Sequence, residues 1–354
     1  MTKAELDNRK ILPLEDSWYR RVKEKLDGIA KPLDGLGKFE HLIAQIGAIK
    51  KTTRISIQKK AVLVMCADNG VVEEQVSQSG KEVTLAVAKA MGVNNSSVGK
   101  MAAVAGVDVI PVDIGIDTDE VIPGVLPRKV AKGTKNFARE PAMTEEEVLK
   151  AIETGIQLVQ QCHRDGYEIL ATGEMGIGNT TTSTAVAAAL LDLEVEQVTG
   201  KGAGLTDEAL KRKCRVIEEA IEKYSLREAD AFTILKTAGG LDIAGLTGVF
   251  IGAAIEQIPV VIDGVISAVA ALLAETLCKG AVNYMIPSHK SRELAEAAIM
   301  KKLHLDPILD ADMALGEGTG AVMMMSLLDV ALGVYLKGAS FANFEIEQYK
   351  RYEE

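Results

Sequence analysis

Two glutamates sit inside glycine-rich turns, where a carboxylate has little bulk around it and a ligand can rest against it. Glu174 lies in residues 173–185, Gly-Glu-Met-Gly-Ile-Gly-Asn-Thr-Thr-Thr-Ser-Thr-Ala. Glu317 lies in residues 315–320, Leu-Gly-Glu-Gly-Thr-Gly. Before the first turn, 167–171 form an apolar run that reads as a buried strand; after it, 182–191 read as a helix of small residues. A strand, a glycine-rich turn and a hydroxyl-rich helix start present free N–H groups to an anion. A carboxylate repels bound phosphate, so Glu174 serves another part of the ligand or the chemistry itself. A further glycine-rich loop, 200–204, precedes a helix at 207–224 whose basic face carries Lys211, Arg212, Lys213 and Arg215. Such a face is ordinarily solvated, but one lysine, Lys213, can reach a phosphate from the glycine-rich side.

The other motifs exclude more than they assign. None of the three turns matches Gly-x-Gly-x-x-Gly, and none closes with Gly-Lys-Ser or Gly-Lys-Thr, so the dinucleotide fingerprint and the P-loop are not met. The Gly-x-Ser-x-Gly elbow of serine hydrolases is missing as well. His41, His163, His289 and His304 are too scattered for a metal site, and His289 alone stands at a strand end. Asp68, Asp113, Asp242 and Asp263 follow apolar runs, which is where open α/β sheets bind ligands. They could cage a divalent metal; orienting loops or binding sugar hydroxyls is the preferred reading. Cys66, Cys162, Cys214 and Cys278 are widely spaced and read as reduced thiols. Neither metal nor cofactor is expected. The residues alone point to a phosphorylated, sugar-containing ligand handled by glutamate acid–base chemistry.

Composition is consistent with that. Among 354 residues, 40 Lys and Arg against 50 Asp and Glu give a net charge of −10, which argues against a nucleic-acid partner. An apolar share of 47% with only 4% aromatics suits small, closely packed helices on a parallel sheet. Residues 1–10 are polar and mixed in charge, so no signal peptide is expected. The longest apolar stretch, 318–336, contains Asp329 and reads as a buried helix rather than a membrane span. A cytoplasmic location is expected.

These residues need elements to hold them. An amphipathic helix at 16–30, capped by Asp16 or Ser17, is broken by the shaped loop 31–38 and resumes at 39–51. Strands at 61–67, 108–116, 167–171, 232–237, 259–262 and 282–286 alternate with helices at 82–91, 97–105, 144–163, 182–191, 207–224 and 291–303. Thr144 and Glu147 form a capping box, and Glu293 a weaker cap. Residues 119–141 are irregular and read as an excursion or lid. The alternation predicts an α/β fold with a parallel Rossmann-like sheet flanked by helices. Residues 1–55, joined by 337–354, are expected to form a small helical domain, and 56–336 the large α/β catalytic domain.

Several motifs occur in a fixed order: Lys31-Pro-x-x-x-Leu-Gly, Val64-Met-Cys-Ala-Asp68 with Gly70-Val71, Val112-Asp-Ile-Gly-Ile-Asp117, the turn at 173–181, Asp263-Gly264, Ile286-Pro-Ser-His289 and the turn at 315–320. Together, from about residue 31 to 336, they resemble the nicotinate-nucleotide:dimethylbenzimidazole phosphoribosyltransferase family. The resemblance implies that an aromatic base displaces nicotinate from nicotinate mononucleotide, giving an α-ribotide phosphate for the cobamide nucleotide loop. Nicotinate leaves as a neutral ring nitrogen, so one general base for the incoming ring's proton is enough. By resemblance that base is Glu317, in an apolar pocket of Met175, Ile177 and Leu315 that raises its basicity. Glu174 is the second acid, orienting base or ribose. Gly176, Ile177, Asn179 and Thr180, with Gly202, Lys213 and Ser291, hold the phosphate. Ser79 of the base-pocket loop, Asp242, Asp263 and Gly316 complete the implied substrate-binding set. A homodimer is expected.

The chain also departs from the family pattern. Asn69 replaces the histidine of Ala-Asp-His-Gly, Ser77-Gln-Ser-Gly80 lacks the usual proline, and Val87 stands where some members carry glutamine. An apolar residue there removes a hydrogen-bond partner for a ring nitrogen, so the acceptor is expected to be less polar or differently shaped. A phenol-specific paralogue working as one subunit of a heterodimer is the alternative within the family. A non-catalytic nucleotide-binding regulator is the alternative outside it, and both retained glutamates argue against that. A dehydrogenase is disfavoured by the missing fingerprint.

Overall fold

A computed structural model describes residues 1–202 and 204–351. Ala203 of the second glycine-rich loop and the last three residues of the 337–354 segment lie outside the described residues. The chain opens with α1 (Lys3–Asp7), α2 (Asp16–Asp27) and α3 (Lys38–Ile49). Next come β1 (Lys60–Ala67), α4 (Glu82–Gly92), α5 (Ser97–Ala105), β2 (Val107–Gly115) and β3 (Leu126–Pro127). α6 (Glu145–Arg164) leads into β4 (Ile169–Met175). Helices α7 (Asn179–Leu191), α8 (Val195–Val198), α9 (Asp207–Lys223), α10 (Ala231–Ala238) and α11 (Leu241–Glu256) then run in succession to β5 (Val260–Ile262). The order ends with α12 (Val265–Leu277), β6 (Met285–Pro287), β7 (His289–Ser291), α13 (Ala295–Leu303), β8 (Leu309–Met313) and α14 (Thr319–Lys337).

A parallel sheet with strand order β3-β2-β1-β4-β5-β6 carries the fold. This is the Rossmann-type order, whose direction of winding reverses between β1 and β4; ligands bind at that switch, outside the carboxyl ends of the strands. Every residue of β1 is buried, which is why 61–67 are apolar without interruption behind the paired Lys60. Ala61, Leu63, Met65 and Ala67 face the layer that holds α6 and α11, while Val62, Val64 and Cys66 face the layer of α2, α3 and α14. Thr144 and Glu147 form the expected capping box at the start of α6. α14 is long and apolar enough to cross a membrane, but over half of it is buried here. Its Asp329 pairs with the Lys60 ammonium of β1 at 2.6 Å.

The loop at 31–38 is shaped by charge. Glu40, fully buried, accepts hydrogen bonds from Lys23 Nζ (2.9 Å), Lys31 Nζ (2.6 Å) and the Leu36 N–H (3.2 Å). Asp27 and Asp34, close enough to Glu40 to suggest a metal, are instead paired with Arg351 and Lys23. The C-terminal segment thereby reaches α2 and the 31–38 loop, and the Ala30 N–H donates to Ala339 O at 2.8 Å. Leu6 of α1 belongs to the opposite layer.

Five expectations are corrected. Residues 232–237 are helical, in α10, because Asp230 caps the Thr233 N–H at 2.7 Å; a short apolar run does not by itself distinguish strand from helix. Asp242 therefore lies in the first turn of α11, not at a strand end. Residues 281–284 form a 3-10 turn, and the strand begins only at Met285. Ser291 ends β7, which pairs with β8 in a separate two-stranded sheet, so α13 starts at Ala295. α2 starts at Asp16 behind Glu15, which makes no side-chain cap bond.

α6 and α11 touch backbone to backbone. A Cβ at Gly248 would overlap Ile152 O, and one at Gly155 would overlap Gly245 O. Neither carbonyl belongs to a flexible side chain that can step aside. Gly248→Ala is therefore expected to destabilise the fold by about 1–3 kcal/mol, read as a lower melting temperature and a lower denaturant midpoint at unchanged slope.

Candidate active site

β4 runs through Gly173 and Glu174 to Met175, four residues further than its apolar stretch suggests, and so delivers Glu174 to the switch point. The turn before α14 lies across this strand end. A Cβ on Gly173 would stand 2.5 Å from Glu317 O, and one on Gly316 would stand 2.6 Å from Glu174 Oε1. The two glycine-rich turns are thus in contact and form one site.

Gly316, Glu317 and Gly318 are three consecutive left-handed residues, at φ 82°, 62° and 93°. A glutamate at positive φ is unfavourable and persists only where its surroundings impose it. Asp263, at the end of β5, imposes it. Its carboxylate accepts the Gly318 N–H at 3.2 Å and the Ala321 N–H at 3.0 Å, capping α14 and pinning the turn. Glu317 Oε2 then accepts the Val98 N–H at 2.9 Å, in the first turn of α5. Among the described residues Oε1 receives no hydrogen bond.

The desolvated carboxylate is Glu174 rather than Glu317, which is half-buried beside an exposed Leu315. Burial, reinforced by the charge of Asp242, pushes Glu174 up to about 8. The Asn179 amide opposes this: it donates to Glu174 Oε2 and, at 3.2 Å, to Asp242 Oδ2. Asp242 is also raised by burial, to about 6, with the Ile243 N–H at 2.9 Å opposing. At neutral pH, then, Glu174 carries a proton and Asp242 carries the charge. Asp263 and His289 are both buried and set against each other: burial raises Asp263 and lowers His289, and each opposes the other's shift.

The opposite end of the site is cationic. α7 starts behind Gly178, and its Thr180 faces the Lys213 ammonium of α9. Lys213 donates to Thr180 Oγ1 (2.9 Å) and Gly200 O (3.1 Å). It is fully buried, not on a solvated face, and burial pushes it down to about 8 against the charge of Glu293. Thr182 and Thr184 spend their hydroxyls on the carbonyls of Asn179 and Thr180, leaving Thr180 as the threonine on the cavity wall.

A cavity of about 280 Å³ joins these ends. Its wall includes Glu174, Met175, Gly176, Ile177, Asn179, Thr180, Gly202, Asp263, Ser291, Leu315, Gly316 and Glu317 from the expected set. Lys213 and Asp242 lie one layer behind it, bonded to Thr180 and Asn179. Ser79 is in the loop before α4 and is not on the wall; its N–H donates to Ser77 Oγ. Sequence reasoning passed over Glu293, read as a helix cap, and the stretch 264–267, which follows the Asp263-Gly264 motif. His289 was noticed for its strand end and does line the wall. Nothing local signals the Val98 N–H, because α5 meets Glu317 only through the fold.

A family model described as phosphoribosyltransferase matches residues 11–346. A relative from Acetivibrio thermocellus, named nicotinate-nucleotide–dimethylbenzimidazole phosphoribosyltransferase, is 44% identical over 93% of this chain and 94% of its own length. One of the same name from Clostridium acetobutylicum is 42% identical over 95% and 96%. The crystal structure of CobT from Thermus thermophilus superposes with a TM-score of 0.89 at 33% identity, covering 94% of this chain and all of that one. The chain belongs to the nicotinate-nucleotide–dimethylbenzimidazole phosphoribosyltransferase family of enzymes.

Proposed function

We propose that this chain transfers the 5-phosphoribosyl group of nicotinate mononucleotide to an aromatic base of the dimethylbenzimidazole class, releasing nicotinate. The observation that carries the reading is a half-buried Glu317 carboxylate, held by the Val98 N–H, in one cavity with a cationic end at Lys213 and Thr180.

The donor's phosphate lies at Thr180, Gly202 and Ser291, with Lys213 behind them. Its ribose lies over Asp263 and the Asn179–Asp242 pair. A ring nitrogen of the acceptor attacks the anomeric carbon as the glycosidic C–N bond breaks. The bonding pair returns to the pyridinium nitrogen, so nicotinate departs with a neutral ring nitrogen and needs no acid. The acceptor's other nitrogen gives its proton to Glu317 Oε1, the oxygen left open by the Val98 bond. The protonated Glu174 donates a hydrogen bond to the acceptor or a ribose hydroxyl and leaves the proton transfer to Glu317. Val87 on the cavity wall offers the acceptor an apolar surface, so ring shape rather than a hydrogen bond selects it. Assembly as a homodimer is part of this reading, supported by exposed Val104 on α5 and Val330 on α14. Light scattering that returns the mass of one 37.8 kDa chain would remove it.

Glu317→Gln is expected to lower turnover by about 10²–10⁴-fold while calorimetric binding of nicotinate mononucleotide persists. Glu174→Gln, which mimics the protonated acid, should keep turnover within about tenfold. Comparable losses for the two variants would sink the assignment. Ribotide products formed from a panel of benzimidazoles and phenols identify the acceptor.

Two pH effects accompany this. The folded pKa of Glu174 lies above its unfolded value, so the stability linked to its proton is complete below about 4.5 and lost as pH rises through about 8. The melting temperature of Glu174→Gln should therefore gain on the wild type between pH 5 and 8. Lys213 is depressed to about 8, so its cation is present at neutral pH and lost above it. The dissociation constant for nicotinate mononucleotide should rise between pH 7 and 9, and Lys213→Met should bind weakly with a flat profile.

A further inference from the structure

The Lys213 end of the cavity already holds an anion, and that anion belongs to the chain. Glu293 Oε1 accepts the Gly202 N–H at 3.1 Å, the same loop amide that faces the cavity. Its carboxylate lies so close to the loop that a Cβ on Gly200 would overlap Oε2. Lys213 Nζ stands 3.8 Å from where a Cβ on Gly202 would lie, and Glu293 is the leading charge favouring its ammonium form. Thr180, Gly202, Ser291 and Glu293 share one stretch of wall.

We propose that Glu293 is an internal stand-in for the donor's phosphate: it occupies the anion cradle and must be displaced for the phosphate to enter. The proposal rests on the reading of that cradle as the phosphate site. The physical case has two sides. A buried ammonium without a counter-charge is costly, and Glu293 supplies that counter-charge. A carboxylate on the Gly202 N–H and a phosphate dianion brought to the same amide beside the buried Lys213 repel each other, so they alternate rather than coexist.

The chain is built for such an exchange. Glu293 sits in the short link between β7 and α13, half-buried, between exposed Arg292 and Leu294, so its side chain can turn to solvent. The link is anchored on both sides. The Arg292 N–H donates to Met313 O at 3.1 Å, and Glu296, buried on α13, accepts the Ser291 N–H. Only the side chain between the anchors has to move. The consequence is selectivity for the donor. A dianionic 5′-phosphate can outcompete a carboxylate for Lys213, whereas an uncharged nucleoside cannot.

Calorimetry with inorganic phosphate and with nicotinate mononucleotide, on the wild type, Glu293→Gln and Glu293→Ala, tests this. Removing the competing charge should tighten phosphate binding about tenfold in both variants and lower the KM for nicotinate mononucleotide. It should also narrow the preference for the mononucleotide over nicotinate riboside. A residue that merely braced the 200–204 loop would give weaker binding when replaced. Unchanged or weaker phosphate binding in both variants, with the wild type binding the mononucleotide, overturns the stand-in and leaves the phosphoribosyl reading intact. A wild type that binds neither ligand overturns both.

Discussion

Asp263 closes the site. Its two carboxylate oxygens take the N–H groups of Gly318 and Ala321, and so tie the end of β5 to the start of α14. Without that tie, three successive left-handed residues have no reason to persist, and Glu317 has no fixed place. With it, the turn lies down on Gly173, the Glu317 carboxylate reaches the Val98 N–H, and Glu174 is sealed beneath Gly316. A hydrogen-bonded carboxylate that looked like a substrate ligand is therefore first a structural cap.

The same arrangement divides labour between two chemically identical side chains. Glu174 is walled in by protein and by the charge of Asp242, which favours its neutral form. Glu317 is half open, with one oxygen held by a helix-start amide and the other unbonded among the described residues. Under the proposed function, these opposite environments make one glutamate a hydrogen-bond donor and the other the proton acceptor. The strand order explains why this happens at the ends of β1 and β4, where the sheet reverses direction and leaves a crevice between its helices.

Much of this was legible in the sequence. Burial on both faces makes 61–67 of β1 a continuous apolar run, and the Thr144–Glu147 capping box is a local signal that the structure keeps. Both glutamate turns stood out because glycine spacing is a backbone requirement written in residue type. What failed was partly local and partly a matter of the fold. α10 passed for a strand because eight residues show too little periodicity, and its decisive signal, the Asp230 cap, lies just before the apolar run. β8 was missed because its partner β7 is about twenty residues away and only the fold brings them side by side. Lys213 looked solvated because three other basic residues surround it in sequence. Rotation about the α9 axis buries it among Ala209, Val216 and Ile217.

β7 and β8 form a ribbon of their own, outside the main sheet. Ser291 and Glu293 hang from that ribbon, while Glu174 and Glu317 are built on β4 and α14. The ribbon that carries part of the proposed phosphate end is thus joined by short links to the elements that carry the proposed acid and base, like a jaw fitted to an anvil. Under the proposed function, changes at 292–294 retune the choice of donor, while His289, packed against Gly320 of α14 and set against Asp263, ties the ribbon back to the turn of Glu317.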